Sequence, residues 1–371
     1  MLYLHIPFCH RKCTYCAFYS SVSFGDRQAY VDALCVELER RRHCMEHPLQ
    51  TVYFGGGTPS ILSISQLSHI VDTICKCYDV SQLEEVTIEA NPEDLIPSYL
   101  ADLQHLSFFN RISIGIQSFH DADLRLLNRR HSSAQAVQAV ENVLNAGFEN
   151  VNIDLIYGLP NQTVDDWSDN LSYLTRWRVS HLSAYALTVE EGTMLHRQIG
   201  EGRVVPCDEE TALAHYRVLL QWAAEHDFHQ YEISNFCRPG CRAIHNSRYW
   251  NRTPYLGVGA AAHSFDGIQR RWNVSDIQRY ISSVQSGPID HEEEELGLKE
   301  AHNEYLMTAL RTVEGIDKKL VAPPFARGLQ NDIQRFVSSG LILDTPTHYQ
   351  PTPEGLLHAD GIAAELFVES N

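Results

Sequence analysis

Positive charge is what this sequence has least of. Its 371 residues hold 29 Lys and Arg against 47 Asp and Glu, a formal net charge of −18. Nucleic-acid binders need clustered cations to neutralise phosphates, so this balance argues against that class of partner. Long apolar runs are missing too. None reaches the roughly 18 residues of a membrane-spanning helix. The opening MLYLHIPF has no basic leader and is too short for a secretory signal. A cytoplasmic protein with no membrane-spanning segment is expected. The apolar fraction of 44% is close to the ~45–50% of globular chains, so a well-buried core can form. The length exceeds the ~100–200 residues of one ordinary domain, so a second unit or an appendage is expected.

Cysteine, in contrast, is plentiful, with ten residues. In a reducing compartment, cysteines point to metal ligation or free thiols before disulfides. Cys35, Cys44, Cys75, Cys77, Cys207, Cys237 and Cys241 are scattered and read mainly as small buried apolar residues. Cys9, Cys13 and Cys16 are not scattered: they form a C-x3-C-x2-C run.

From the start to about residue 235, short β-rich runs alternate with longer amphipathic stretches. Strands are expected over 2–6, 51–55, 86–90, 111–116, 151–156 and 182–187. Helices are expected over 26–43, 63–78, 92–103, 133–146, 163–177 and 209–225. Gly147 suits a helix end at positive φ, and Ser133 and Thr163 suit N-caps. The alternation implies right-handed βαβ units on a parallel sheet. Six units fall short of a complete eightfold barrel. An α/β fold with an open, partial (β/α)6 barrel over 1–235 is expected, with a doubly wound sheet as the alternative. Residues 236–297 read as an irregular connection. Residues 298–371 read as a small α+β unit resembling a winged helix, with helices over 299–312, 329–338 and 353–368 and a hairpin over 341–351. With no basic face, it reads as a packing or lid module.

In parallel α/β folds, ligands bind at the carboxyl ends of the strands. Here those ends carry the cysteine loop, Gly55-Gly56-Gly57-Thr58-Pro59, Glu89 with Asn91-Pro92, Gln117, and Asp154 ahead of Tyr157-Gly158. Together they look like one site. Gly56 and Gly57 would let backbone approach a ligand. Glu89 either faces a ligand or is solvated. Asp154 sits in an apolar strand, where its charge calls for a polar partner. Thiolates at the cysteine spacing hold iron–sulfur clusters. Three cysteines bind three irons of a cubane and leave the fourth open to an α-amine and carboxylate, with Phe8, Tyr15 and Phe18 as shields. Zinc held by the cysteines with His5 or His10 is the alternative, although zinc sites usually pair two knuckles across a longer loop.

Tyr3-Leu-His5-Ile-Pro7-Phe-Cys9, Cys13 and Tyr15-Cys16 combine with the glycine run, with Arg111-Ile-Ser-Ile-Gly115-Ile-Gln117-Ser-Phe119, and with Asn152-Ile-Asp154-Leu-Ile-Tyr157-Gly158-Leu-Pro160. In this combination, over essentially its whole length, the chain resembles the radical S-adenosylmethionine (radical SAM) superfamily, in its oxygen-independent coproporphyrinogen III oxidase-like family. The resemblance implies a radical SAM barrel with a [4Fe–4S] cluster on Cys9, Cys13 and Cys16 and S-adenosylmethionine at the open iron. It implies a pocket for that ligand made by Tyr3, Tyr15, Gly56, Gly57, Thr58, Glu89, Gln117, Arg129 and Asp154. Thr188 and His263 also match family pocket positions. Arg129 suits a carboxylate, or else is a helix-end residue like its neighbour Arg130.

The family has two branches. The oxidases resemble C-x3-C-x2-C-x-C and carry an N-terminal extension; here Phe18 stands at the extra cysteine position and eight residues precede Cys9. The heme chaperone branch, HemW, carries H-N-x-x-Y-W, matched here by His245-Asn246-Ser-Arg-Tyr249-Trp250. A neutral imidazole ligates heme iron, and Tyr249 and Trp250 offer flat apolar surface to a porphyrin. The bland alternative is packing between modules. Cys237 and Cys241 nearby are a thiolate ligand, a redox pair or ordinary thiols. The resemblance thus implies a heme chaperone of porphyrin metabolism, monomeric or dimeric, passing heme to an unidentified acceptor protein; gating of transfer or oligomerisation by the cluster's redox state is a hypothesis added to it. Cleavage of S-adenosylmethionine is chemically possible, though no residue is assigned a catalytic role. The alternatives are an oxygen-independent coproporphyrinogen III oxidase, decarboxylating propionate side chains, and a radical enzyme acting elsewhere.

Overall fold

The structure is a computed structural model that describes residues 1–371 except 24, 46 and 369–371. Its first strands are β1 (Leu2–Ile6), β2 (Thr51–Gly56), β3 (Glu85–Ala90), β4 (Arg111–Gln117), β5 (Asn150–Tyr157) and β6 (His181–Ala186). Neighbouring members of this series pair in parallel in sequence order. Between and after them run α1 (Arg27–Arg40), α2 (Ile64–Cys77), α3 (Pro97–His105), α4 (Asp121–Leu126), α5 (Ser133–Asn145), α6 (Val164–Leu174), α7 (Met194–Gly200) and α8 (Glu209–Glu225).

Local chemistry sets the boundaries. Capping boxes start α2 at Ser63 with Gln66, α5 at Ser132 with Gln135, and α6 at Thr163 with Asp166. The α5 cap is therefore Ser132, one residue before the expected Ser133. The backbone N–H of Ser133 donates instead to Asp121 Oδ1 at 2.7 Å. Gly147 has φ +90, as the end of α5 requires. A 3-10 turn at Pro92–Asp94 precedes α3 where one helix was expected. The helix-facing sides of the strands, such as Ile112, Ile114 and Ile116 on β4 and Val151, Ile153 and Leu155 on β5, are fully buried in the main core.

Among the described residues the sheet has nine strands. On β6 it continues antiparallel through β8 (Asn235–Cys237) and β7 (His229–Glu232). On β1 it continues parallel through β9 (Leu256–Val258). The two edges do not pair, so the sheet stays open.

The stretch 236–297 is not irregular. Besides β8 and β9 it holds α9 (Ile244–Trp250), α10 (Ile277–Ser286) and an antiparallel sheet of β10 (His263–Phe265), β11 (Gln269–Asn273) and β12 (His291–Glu295). Apolar alternation could not reveal β11 and β12. Their register sets Arg270 opposite Glu294 and Arg271 opposite Glu293, so charge complementarity stands where side-chain burial would. One buried carboxylate fastens this region to the barrel. Glu37 of α1 accepts hydrogen bonds from Gly259 N at 2.8 Å, Tyr280 Oη at 2.7 Å, Asn273 Nδ2 at 2.8 Å and Arg41 at 3.1 Å.

The C-terminal unit has its own core, including Leu306, Ile333, Phe336 and Ile362. It comprises α11 (Leu298–Leu310), α12 (Pro323–Asp332), α13 (Gln334–Ser338), α14 (Pro353–Leu357) and α15 (Ala359–Leu366) around β13 (Ile316–Asp317), β14 (Ile342–Asp344) and β15 (His348–Pro351). Two of the expected helices are thus each broken in two. The end of the expected 298–371 unit, residues 369–371, lies outside the described residues. Among the described residues, no helix is long and apolar enough to cross a membrane.

Removing the Glu37 carboxylate takes a buried acceptor from four donors, one of them a guanidinium, although Arg41 keeps Gly257 O and Asn273 keeps Gly259 O. Breaking a buried ion pair in this way costs about 3–5 kcal/mol, so Glu37→Ala should lower the unfolding free energy by that amount. Tyr280→Phe, which removes one donor, should cost about 1 kcal/mol. Urea unfolding followed by circular dichroism checks both.

Candidate functional site

Side chains alternate along a strand, and the inner face of this sheet is polar. It carries Glu85, Thr87 and Glu89 on β3, Arg111, Ser113, Gly115 and Gln117 on β4, Asn152 and Asp154 on β5, and His181 and Ser183 on β6. At the carboxyl end these residues meet the cysteine loop around a cavity of about 510 Å³. Cys9, Cys13, Cys16, Tyr15, Gly56, Gly57, Thr58, Glu89, Gln117, Arg129, Asp154 and Thr188 all line it.

The loop is held by its backbone. Gly57 N donates to Ile6 O at 2.8 Å, Cys9 N to Ser21 O at 2.9 Å and Thr14 N to Leu127 O at 3.1 Å. A Cβ on Gly57 would meet Phe8 O at 2.8 Å and Ile6 O at 2.9 Å, so this approach requires glycine. Gln117 has φ +69 beside a register shift between Gly115 and Gln117. A non-glycine residue in that region is held by its surroundings, often at a functional site.

Glu89 accepts from Tyr53 Oη at 2.7 Å and from Gly56 N at 3.1 Å. Burial, reinforced by Asp154 nearby, raises its pKa to about 7 against the stabilising hydrogen bonds. Asp154 accepts from Asn152 Nδ2 at 2.7 Å and Ser113 Oγ at 3.2 Å, and burial pushes it upward as well. Arg129 donates to Cys13 Sγ at 3.4 Å, Asn91 Oδ1 at 2.7 Å and Gly115 O at 2.5 Å. Its buried Nε has no hydrogen-bond partner among the described residues.

The donor set fits an iron–sulfur cluster with an amino-acid chelate. All ten cysteines are free, and Cys9, Cys13 and Cys16 are half-buried at the cavity wall. Burial pushes the Cys9 and Cys16 thiols up, so loading metal there would release protons. Among the described residues, no three His, Cys, Asp or Glu side chains converge on one point as a single ion needs. A cubane's thiolates attach to separate irons and need no common point.

Two expected pocket residues do not line the cavity. Tyr3 packs behind it, stacked on Tyr53 with centroids 6.1 Å apart, its hydroxyl 3.1 Å from His5 Nδ1. His263 is exposed on β10 and stacks on Trp272. Ser113, Tyr53 and Asn152 were missed, although period-two alternation along β2, β4 and β5 places them on the inner face. The sequence places Asn91 at a strand end but gives it no role, because its contacts depend on side chains distant in sequence.

The second candidate group lies at the opposite end of the strands. Glu85, at the start of β3, accepts the backbone N–H groups of Ile244 at 2.7 Å and His245 at 3.0 Å, fixing the start of α9. His245 is fully buried. Its Nδ1 lies 2.8 Å from Thr51 Oγ, at the start of β2, and its Nε2 lies 3.0 Å from Tyr249 Oη. Burial lowers its pKa to about 3, so the ring is neutral near pH 7 with both nitrogens engaged. Asn246, Tyr249 and Trp250 are half-buried. The Arg311 guanidinium lies 5.9 Å from the Trp250 ring centroid. Cys237 is buried in β8, and the Cys241 thiol lies 3.8 Å from Pro239 O; neither lines the cavity.

A family model described as the radical SAM superfamily matches residues 3–174. The chain is 34% identical over 321 residues to the heme chaperone HemW of Mycobacterium tuberculosis, covering 85% of this chain and 82% of that protein. The chain belongs to the HemW family of the radical SAM superfamily. The HemW protein of Bacillus subtilis is 32% identical over 363 residues, with 96% of each chain covered. The solved structure of the coproporphyrinogen III oxidase HemN from Escherichia coli superposes with a TM-score of 0.85 at 23% identity. It covers 99% of this chain and 89% of its own, and bears out the fold of this HemW family member.

The raised Glu89 pKa fixes a sign. Folded protein holds the Glu89 proton up to about pH 7, whereas the unfolded chain loses it near the ordinary value of 4.5. The stability this contributes is present below pH 4.5 and is lost as pH rises through 7. Glu89→Gln should therefore gain stability relative to the ligand-free wild type as pH rises from about 4.5 to about 7. Parallel melting curves across that range check it.

Proposed function

We propose that this chain is a heme chaperone that binds heme and transfers it to an acceptor protein, with a [4Fe–4S] cluster on Cys9, Cys13 and Cys16 and S-adenosylmethionine at the open iron. The observation that carries the reading is the HemW relationship over most of the chain, together with the His245-Asn246-Ser-Arg-Tyr249-Trp250 motif. When bound, the cluster would supply one electron and an open coordination position. The chain's own residues then have separable tasks. Gly56 and Gly57 bring backbone to the chelating end of S-adenosylmethionine, and Arg129, on the cavity wall, supplies a cation for a carboxylate. Thr58, Glu89, Gln117 and Asp154 line the remaining wall with Tyr15. Tyr3 braces that wall from behind.

Heme is assigned to the α9 end, with His245 as iron ligand and Asn246, Tyr249 and Trp250 around the macrocycle. The imidazole must first be released there, since Tyr249 occupies Nε2. The protein is assigned to the cytoplasm.

The test is an anaerobic heme titration of cluster-loaded protein, followed at the Soret band. Saturation near one heme per chain, lost in His245→Ala, is expected. Tyr249→Phe frees Nε2 from a hydrogen bond worth about 1 kcal/mol, so it should bind heme about fivefold more tightly. No saturable binding by the wild type would sink the chaperone reading and turn attention to coproporphyrinogen decarboxylation. Equal binding by wild type and His245→Ala would keep a heme carrier and remove His245 as its ligand.

A further inference from the structure

Thr58 and Arg129 both donate side-chain hydrogen bonds to the cysteine loop, beside Ser20, and one residue joins the two. Thr58 Oγ donates to Cys9 Sγ at 3.5 Å. Arg129 NH1 donates to Cys13 Sγ at 3.4 Å. Asn91, just past β3, donates from Nδ2 to Thr58 Oγ at 3.1 Å and accepts at Oδ1 from Arg129 NH2 at 2.7 Å. Its backbone is fixed as well: Asn91 N donates to Ser60 Oγ at 3.3 Å, and that hydroxyl donates to Asp94 Oδ2 at 2.6 Å.

We infer that Asn91 is a positioning residue for the iron–sulfur cluster, setting the hydrogen bonds that Thr58 and Arg129 give to the sulfurs of Cys9 and Cys13. The inference rests on the cluster reading above.

The chemistry asks for an amide at this position. Arg129 carries donors and no acceptor, so Asn91 must turn its oxygen toward it and its nitrogen toward Thr58. A hydroxyl has one proton. Because Asn91 donates into the Thr58 oxygen, that proton is left for Cys9. A carboxylate at position 91 would keep the Arg129 contact but has no proton to give. It would draw the Thr58 proton to itself and away from Cys9. Hydrogen bonds to cluster sulfurs set the reduction potential, and they favour the more negative, reduced state. Losing one therefore lowers the potential. Partners of this kind also hold metal in place, and their loss typically costs 10–100-fold in affinity.

The experiment compares wild type, Asn91→Asp, Asn91→Ala, Thr58→Val and the Asn91→Asp/Thr58→Val pair, all as full chains reconstituted with iron and sulfide under anaerobic conditions. Two quantities are read: the reduction potential, by titration followed by electron paramagnetic resonance, and the rate of iron loss to a chelator. Each single variant should have a lower potential than wild type and lose iron on the order of tenfold faster. In the pair, Thr58→Val should add little to Asn91→Asp, because the two remove the same hydrogen bond. A carboxylate acting only by its charge would instead add its effect in full to that of Thr58→Val, and this result would overturn the inference. So would a wild-type potential in Asn91→Ala, which brings no charge. Melting of the cluster-free variants checks that folding is intact. A wild type that takes up no cluster would sink the cluster reading itself, whereas a normal wild-type cluster with indifferent Asn91 variants would sink only this inference.

Discussion

The inner face of the sheet is polar at alternate positions, and buried polar groups must be hydrogen-bonded or they destabilise the fold. Most of the functional architecture follows from that constraint. Glu85 is satisfied by the backbone of α9, Glu89 by Tyr53 and Gly56, and Asp154 by Asn152 and Ser113. Arg111 is buried with no hydrogen-bond partner among the described residues. Its positive field partly offsets the cost of charge on Glu89 and Asp154. The outer face needs no such arrangement, because its Ile, Leu and Val side chains pack on the helices.

One set of strands therefore presents different chemistry at its two ends. The carboxyl ends gather thiols, glycines and ionisable groups around a cavity, while the amino ends grip α9 through Thr51 and Glu85. Tyr53 spans the distance between them. Its hydroxyl reaches Glu89, and its ring lies 5.1 Å, centroid to centroid, from His245. The residues beneath the cavity thus also form the packing surface for the helix at the other end.

Much of this was legible in the sequence. The alternation of short β-rich runs with longer amphipathic stretches locates the six parallel strands, and the rule that ligands bind at carboxyl strand ends then brings Cys9, Gly57, Glu89, Gln117 and Asp154 together. What escaped depends on information that local patterns do not carry. Strands of three residues such as β9 are too short to show a period, and β11 and β12 are matched through charge. Tyr3 shares the inner face but lies too deep to reach the cavity. The burial of His245 and the two-sided contacts of Asn91 come from partners far along the chain, where no spacing rule applies.

The pairing of β9 with β1 has a consequence for how the chain is made. Leu2 faces Leu256, so the strand that covers the β1 edge is synthesised roughly 250 residues after it. At about 5–20 residues per second, that leaves the leading edge uncovered for some tens of seconds on the ribosome. An uncovered edge is a template for unwanted pairing. Closing so distant a contact also carries a loop-entropy cost that the nearer strand pairs do not. The end of the barrel that bears the cysteine loop is consequently the part of the nascent chain that waits longest for its neighbour.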